Sequence, residues 1–227
     1  MSLDSEITSE LIRLLGRDRV HTSDNDRALY SRDASTIDGS AGAVVFPETT
    51  DEVAAVVRLC NRHRHPFVAR GSGTGLAGGA TPINGAVVVS LMRMNRVLSV
   101  DPLNRSAWVE PGVLNLDLTR SLTKYSLHFA PDPSSQQSCS IGGNLANNSG
   151  GPHCLADGVT AAHILGAEVV LPDGSVTVLG GEEPEPSGPD LRGLFVGSEG
   201  MFGIATRICV RLTDNPPAVR TMLMDFT

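Results

Sequence analysis

What the chain lacks narrows its chemistry. No apolar run reaches the ~18 to 20 residues that a membrane span requires, so no transmembrane helix is expected. The opening MSLDSEITSE carries acids and hydroxyls where a secretory leader has a basic stretch and an apolar run; no signal peptide is read, and a soluble, cytoplasmic protein is expected. Positive charge is scarce: 18 Lys and Arg stand against 25 Asp and Glu, a net charge of -7. The one basic cluster, RHRH at 62–65, suits a helix C-terminus. With one Trp and two Tyr there is no aromatic platform for stacking bases, so nucleic acid is not expected as a partner. The four cysteines (Cys60, Cys139, Cys154, Cys209) form no Cys-x-x-Cys pair, which argues against zinc and against a disulfide scaffold; no metal site is expected. A Gly-Lys-Ser/Thr triplet is also missing, which excludes a P-loop.

What is plentiful is glycine, 24 residues, with 14 prolines, the composition of a chain rich in turns and close backbone approaches. SEITSELIRLL (5–15) places Ile7, Leu11, Leu14 and Leu15 on one helical face, closed by Gly16. The stretch to about residue 42 reads as irregular. GAVVFP then predicts a strand. TTDEVAAVVRLCNRH predicts a helix with Thr49 and Glu52 at capping-box spacing and a buried stripe of Val53, Val56, Val57 and Cys60. PFVA completes a β-α-β unit, which implies parallel pairing. Further strands are expected in AVVVSL, RVLSV and SAWVEP, a helix in VLNLDLTRSLTKY, and a hairpin in GAEVVLPDGSVTVLG turning at Pro172, Asp173 and Gly174. GEEPEPSGPD (181–190) reads as a surface loop. IATRICVRL is the last full strand, DNPPAV breaks it, and VRTMLMDFT begins a β-like segment.

Three stretches stand out. RGSGTGLAGG (70–79) holds five glycines in ten residues, too many for one tight turn. Gly73, Gly75 and Gly78 have the spacing of a nicotinamide dinucleotide site, but Pro82, Asn84 and Gly85 preclude the helix that such a site needs. An NAD-dependent dehydrogenase is therefore the weakest of the alternatives. A loop of successive amides between strands can still form an anion-binding nest. PDPSSQQSCSIGGNLANNSGGPHC (131–154) is dense in Ser, Asn and Gly donors, and GSEGMFGI (197–204) is glycine-rich beside a strand. Together they suggest a long polar ligand threaded between lobes.

The order PETTDEVAAVV, RGSGTGLAGG, PDPSS, SIGGNLANNSGGPHC, GAEVVLPDG, GSEGMFGI resembles the FAD-binding domain of the vanillyl-alcohol-oxidase-type (PCMH-type) flavoproteins, above all the D subunit of glycolate oxidase and its D-lactate dehydrogenase relatives. The resemblance implies an α+β fold of two α/β lobes with FAD between them. It implies an N-terminal helical segment at 1–24, an FAD-binding domain at 25–215 with lobes of about 40–105 and 106–215, and at 216–227 the start of a C-terminal substrate-covering domain that is absent here. By the same resemblance Gly71, Ser72, Gly73, Thr74, Gly75 and Gly79 wrap the diphosphate. Pro131, Ser134, Ser140, Gly143, Asn147 and Gly150 line the flavin-to-ribityl portion, and Glu199, Gly200 and Ile204 approach from the third loop. Thr74 stands where covalently flavinylated members have a histidine, so noncovalent FAD is implied. Met201 and Phe202 replace the usual threonine and leucine, and Ala156 and Asp157 the usual Lys-Tyr. The implied activity is oxidation of a small 2-hydroxy acid such as glycolate or D-lactate, with partner subunits that include an iron-sulfur subunit. The alternatives are a non-catalytic FAD-binding module and an electron-relay subunit of a larger complex. His153 and His163 are the histidines nearest the second loop; a structural role is favoured for both, and no catalytic residue is assigned.

Overall fold

The computed structural model describes residues 3–182 and 188–226; residues 183–187 of the expected proline-rich loop lie outside the described residues. Helix α1 (Ser5–Leu15) starts where the Asp4 carboxylate accepts the Glu6 amide at 2.8 Å and ends at Gly16, whose φ of 89° no side-chain-bearing residue adopts comfortably. After β1 (Val20–His21) comes α2 (Asp24–Leu29), a short Ser23-capped helix inside the stretch read as irregular. Its six polar-rich residues bury nothing, so no apolar periodicity announced it.

Strand β2 (Ala41–Val45), helix α3 (Thr50–Arg62), strand β3 (Phe67–Arg70) and strand β4 (Ala86–Ser90) follow. Half of the expected capping box forms: Thr49 Oγ1 accepts the Glu52 amide at 3.2 Å, while the Glu52 carboxylate reaches one residue further back and accepts the Glu48 amide at 2.7 Å. The β-α-β unit is parallel, but its two strands are not neighbours. The sheet order is β1-β2-β4-β3, so β4 enters between them and pairs in parallel with both. Every residue of β2 and β4 is buried, which is why both read as unbroken runs of Val and Ala rather than alternating patterns. The connection from β3 to β4 is the glycine-rich loop itself.

The second lobe is antiparallel throughout. It holds β5 (Val97–Asp101), β6 (Ser106–Val109), α4 (Asn115–Ser121), β7 (Leu127–His128), α5 (Ile141–Asn147), α6 (Cys154–Asp157), β8 (Ile164–Val170), β9 (Val176–Gly180), α7 (Leu191–Phe195), β10 (Ile204–Arg211) and β11 (Thr213–Asp214). The sheet order is β5-β6-β10-β8-β9, with β7 and β11 forming a small separate pair. The expected boundary at 105/106 therefore cuts a hairpin. Val97–Asp101 pairs with Ser106–Val109, and Asp101 closes the turn by accepting the Leu103 and Asn104 amides at 3.0 Å each. The sheets change over between Ser90 and Val97. The hairpin around Pro172–Gly174 forms as read, with Gly174 at φ 82°. The described residues of the expected β-like segment after residue 216 have no regular structure, and Val219, Met222 and Leu223 are exposed.

Two cores are joined by α3. Its apolar stripe packs with Ile7, Leu11 and Leu15 of α1 and with Val170 and Ile204 of the second sheet. On its other side Arg58 Nη1 donates to the Gly174 carbonyl and Asn61 Nδ2 to the Pro172 carbonyl, both at 2.6 Å, while Thr50 Oγ1 donates to Glu168 Oε1 at 2.6 Å. The N-terminal helix is therefore part of the first lobe's core rather than a separate segment. Leu11→Ala should lower unfolding stability by about 2–5 kcal/mol in a denaturant titration, as for a fully buried leucine. A loss under about 0.5 kcal/mol would mean that α1 is an appendage.

Candidate functional site, an interlobe cleft

Between the lobes lies a cleft of about 290 Å³, lined by all three stretches singled out from the sequence. The glycine-rich loop leaves β3 at Arg70 and crosses the cleft mouth. At Gly73 two constraints coincide: φ is 74°, and a Cβ would overlap the Arg70 guanidinium beneath it. A Cβ on Gly71 would overlap Ser140 Oγ, and one on Gly79 would lie 2.8 Å from Glu199 Oε2. The first loop is therefore glycine-rich because the second and third loops lie against it. Among the described residues, no acceptor within the protein takes the amide hydrogens of residues 71 to 76.

The second stretch is not one loop. Its centre folds into α5, with Ser140 as N-cap accepting the Gly143 amide at 3.2 Å. The residues before it are sewn to the 111–115 segment: Asn115 N donates to the Cys139 carbonyl, Ile141 N to Val113 and Gly142 N to Pro111. The far end of α5 anchors the third loop, because Gly197 N donates to the Leu145 carbonyl at 2.9 Å and Glu199 N to Ala146 at 2.8 Å. Glu199 and Gly200 both have positive φ, 53° and 79°, which turns that loop back toward Gly79.

Of the residues expected to hold a cofactor, Gly71, Ser72, Gly73, Thr74, Gly75, Gly79, Gly143, Asn147, Gly150, Glu199, Gly200 and Ile204 line the cleft. Pro131, Ser134 and Ser140 do not. Pro131 is buried with its carbonyl accepting Asn115 Nδ2 at 2.9 Å, Ser140 is spent on capping α5, and Ser134 is exposed while its neighbour Ser135 lines the cleft. The sequence reading missed Asp33, Arg70, Ser198 and Cys139 as lining groups. Asp33 comes from the stretch read as irregular, and nothing local marks it. Arg70 was visible as the charge heading the glycine run.

Asp33 sits under the distal half of the glycine loop. Burial pushes its carboxyl up, but bonds from the Ser35 hydroxyl and amide and from the Gly78 and Ala80 amides outweigh it and hold the group below the usual carboxylate range. Burial lowers the Arg70 pKa, opposed by Tyr30 and Asp33; an arginine so placed remains a cation. The Cys139 thiol is pushed up by burial, so it is protonated and a poor nucleophile. The Ser198 hydroxyl is buried in the cleft wall with no partner among the described residues. Unpaired amides, an orphan hydroxyl, a buried cation and loops too close for side chains suit an extended ligand carrying a diphosphate. His163 is structural: Nε2 meets the Asp157 carbonyl at 2.7 Å and its ring packs edge-on against Phe129. His153 lies outside the cleft lining and ties residue 132 to the 150–154 turn through Asp132, 2.5 Å away.

The two lobes, with glycine-rich loops meeting over the cleft between them, have the PCMH-type FAD-binding fold. Residues 41–180 match the FAD binding domain family, and the chain belongs to that family. It is 44% identical over 183 residues to the glycolate oxidase subunit GlcD of Escherichia coli (strain K12), covering 81% of this chain and 37% of that protein. It is 40% identical to the subunit of the same name in Bacillus subtilis (strain 168), covering 97% of this chain and 47% of that protein. To the D-lactate dehydrogenase of Anaerostipes hadrus it is 35% identical, covering 98% and 48%. The chain thus spans half or less of the length of these relatives. Among solved structures, 4-ethylphenol oxidase from Gulosibacter chungangensis superposes with a TM-score of 0.82 at 30% identity, over 94% of this chain and 43% of that one. Alkyldihydroxyacetonephosphate synthase shares the fold at a TM-score of 0.85 and 23% identity, over 96% and 42%.

The loop geometry separates glycines that look alike in the sequence. Gly75 has no positive φ and a Cβ there would make only ordinary contacts, 3.7 Å from Asn147 and 3.8 Å from Asp33. Gly75→Ala should therefore change unfolding stability by less than about 0.5 kcal/mol. Gly71→Ala should lower it by about 1–3 kcal/mol through overpacking against Ser140, read in the same denaturant titration. The reverse order would contradict the packing described. The Asp132 side-chain bond and charge also raise the His153 pKa above 6.5. A raised histidine stabilises the fold fully below the unfolded pKa and loses that contribution as pH rises through the folded value. An NMR titration of the ring protons should show a midpoint above 6.5 that falls back in Asp132→Asn; an unchanged midpoint in the variant would remove Asp132 as the cause.

Proposed function

We propose that this chain is the flavin-holding part of an FAD-dependent oxidoreductase that oxidises a small 2-hydroxy acid, and that it holds FAD without a covalent bond. The observation that carries the reading is the convergence of three loops on one cleft in which the 71–76 amides find no acceptor among the described residues. In this reading Gly71 to Gly75 and Gly79 receive the diphosphate, while Gly143, Asn147, Gly150, Ser198 and Ile204 line the path of the rest of the molecule. Noncovalent attachment is supported by Thr74 at the cleft and by a Cys139 thiol that burial keeps protonated. Bound FAD would supply the two-electron redox chemistry, with the protein contributing orientation and electrostatics.

The substrate class rests on the relatives' names, glycolate oxidase, D-lactate dehydrogenase and D-2-hydroxyglutarate dehydrogenase, which share a hydroxyl beside a carboxylate. No histidine lines the cleft among the described residues, and Asp33 is committed to the loop amides. The proton acceptor for the substrate hydroxyl thus belongs to groups beyond this cleft wall. Two relatives are named as subunits, which supports partner subunits here; an iron-sulfur subunit as electron acceptor and a cytoplasmic location complete the proposal. No helix among the described residues is long and apolar enough to cross a membrane.

The purified protein should bind FAD and release all of it into the supernatant on acid precipitation. Flavin left in the pellet would overturn the noncovalent part, and failure to take up FAD would overturn the whole. Anaerobic mixing of the loaded protein with glycolate or D-lactate should bleach the flavin slowly, because general-base help worth ~10² to 10⁴-fold is not in the cleft wall. Propionate, without the hydroxyl, should leave it unchanged. Bleaching by neither hydroxy acid over hours would sink the substrate class.

A further inference from the structure

We propose that Arg70 is a positioning and charge-balancing residue of the diphosphate site: from beneath the glycine loop it offsets Asp33 and lets the loop's free amides accept a second, external anion. The inference rests on the FAD reading above and extends it to two residues outside the glycines.

The geometry divides the loop in two. Its distal amides, at Gly78 and Ala80, face the Asp33 carboxylate and help hold it ionised; that carboxylate is 8% exposed and has its Oδ1 2.8 Å from the Ser35 amide. Its proximal amides, at 71–76, meet no acceptor among the described residues. A diphosphate received by the proximal half therefore comes to rest in the same small loop as a buried carboxylate, and like charges at such range repel with little screening. One cation lies close to both. The Arg70 guanidinium, also 8% exposed, fills the space that a side chain on Gly73 would need and lines the cleft.

It is held there from the far side. Nη1 donates to the Arg32 carbonyl at 2.9 Å, and the guanidinium carbon lies 5.2 Å from the centre of the Tyr30 ring. The acids facing the site are Asp33 and Glu199, and Arg70 is the only Lys, Arg or His side chain in the cleft wall among the described residues. Lysine would keep the charge with a shorter reach and without the delocalised guanidinium over Tyr30. Removing the charge should leave two anionic groups sharing one loop.

The test measures FAD and riboflavin affinities by flavin fluorescence in the wild type, Arg70→Met, Arg70→Gln and Arg70→Lys. Arg70→Gln keeps a donor for the Arg32 carbonyl and serves if the methionine variant does not fold. FAD should bind about 10- to 100-fold more weakly to the neutral variants, the scale of one charge-assisted contact, while riboflavin, which has the ring but no phosphate, changes less than about threefold. Arg70→Lys should recover most of the FAD affinity. Inorganic diphosphate competing against FAD should weaken in parallel with FAD. Equal weakening of FAD and riboflavin would assign Arg70 a purely structural role and overturn the proposal, as would unchanged FAD affinity in a folded neutral variant. A wild-type protein that binds no FAD would instead defeat the flavin reading itself.

Discussion

The contact on which the site depends is the closeness of Gly71 to the capped end of α5. There the first lobe's loop touches the second lobe with no room for a Cβ, and Ser140 is both the cap of α5 and the surface against which Gly71 rests. The lobes are held at the opposite side by α3, whose Arg58 and Asn61 grip the turn of the β8–β9 hairpin and whose Thr50 reaches Glu168. Cleft width is therefore set by two unrelated devices, one steric and one hydrogen-bonded. The steric one explains why a loop that forms no helix is nonetheless so rich in glycine.

Charge is handled locally. A protein of net charge -7 does not attract an anion by its overall field, so a diphosphate must be met by short-range donors. Backbone amides supply them without further charge, and their conformations are fixed by packing before any ligand arrives. The loop already rehearses this chemistry on its own carboxylate, since Asp33 is kept ionised mainly by hydrogen bonds that overcome its burial. Gly78 and Ala80 thus tie the far half of the loop to Asp33.

Elements with a clear period were readable from residues alone: the α3 stripe, its Thr49 cap, the Pro172–Gly174 hairpin and the buried valine strands all form as expected. The convergence of three glycine stretches on one cleft was also anticipated. What escaped was long-range. That β4 enters between β2 and β3, and that β5 belongs to the second sheet, depend on pairings no local pattern encodes. α2 and α5 were missed because polar and glycine-rich residues form them, and capping by Ser23 and Ser140 rather than propensity starts them. Ser134 and Ser135 differ by one position, and only the course of the chain around Pro133 decides which of them meets the cleft. Family resemblance named Ser140 among the lining residues, where the structure has it capping a helix.

The same architecture bears on how a ligand held without a covalent bond could be retained. Residues 71–79 approach from the first lobe, 135–150 and 198–205 from the second, so an extended molecule in the cleft touches both cores at once. Each amide contact contributes little by itself, and affinity then rests on how little the loops must rearrange when the ligand enters. The hydrogen bonds from Gly197 and Glu199 to the end of α5, and the seat of Gly71 on its beginning, make one short helix the common reference for all three loops. With two of its side chains, Ile141 and Leu145, fully embedded in the second core, that helix transmits the rigidity of the sheet to the cleft. Preorganisation of the site is in this sense a property of the core packing around α5, and the glycines are what allow the loops to come close enough to use it.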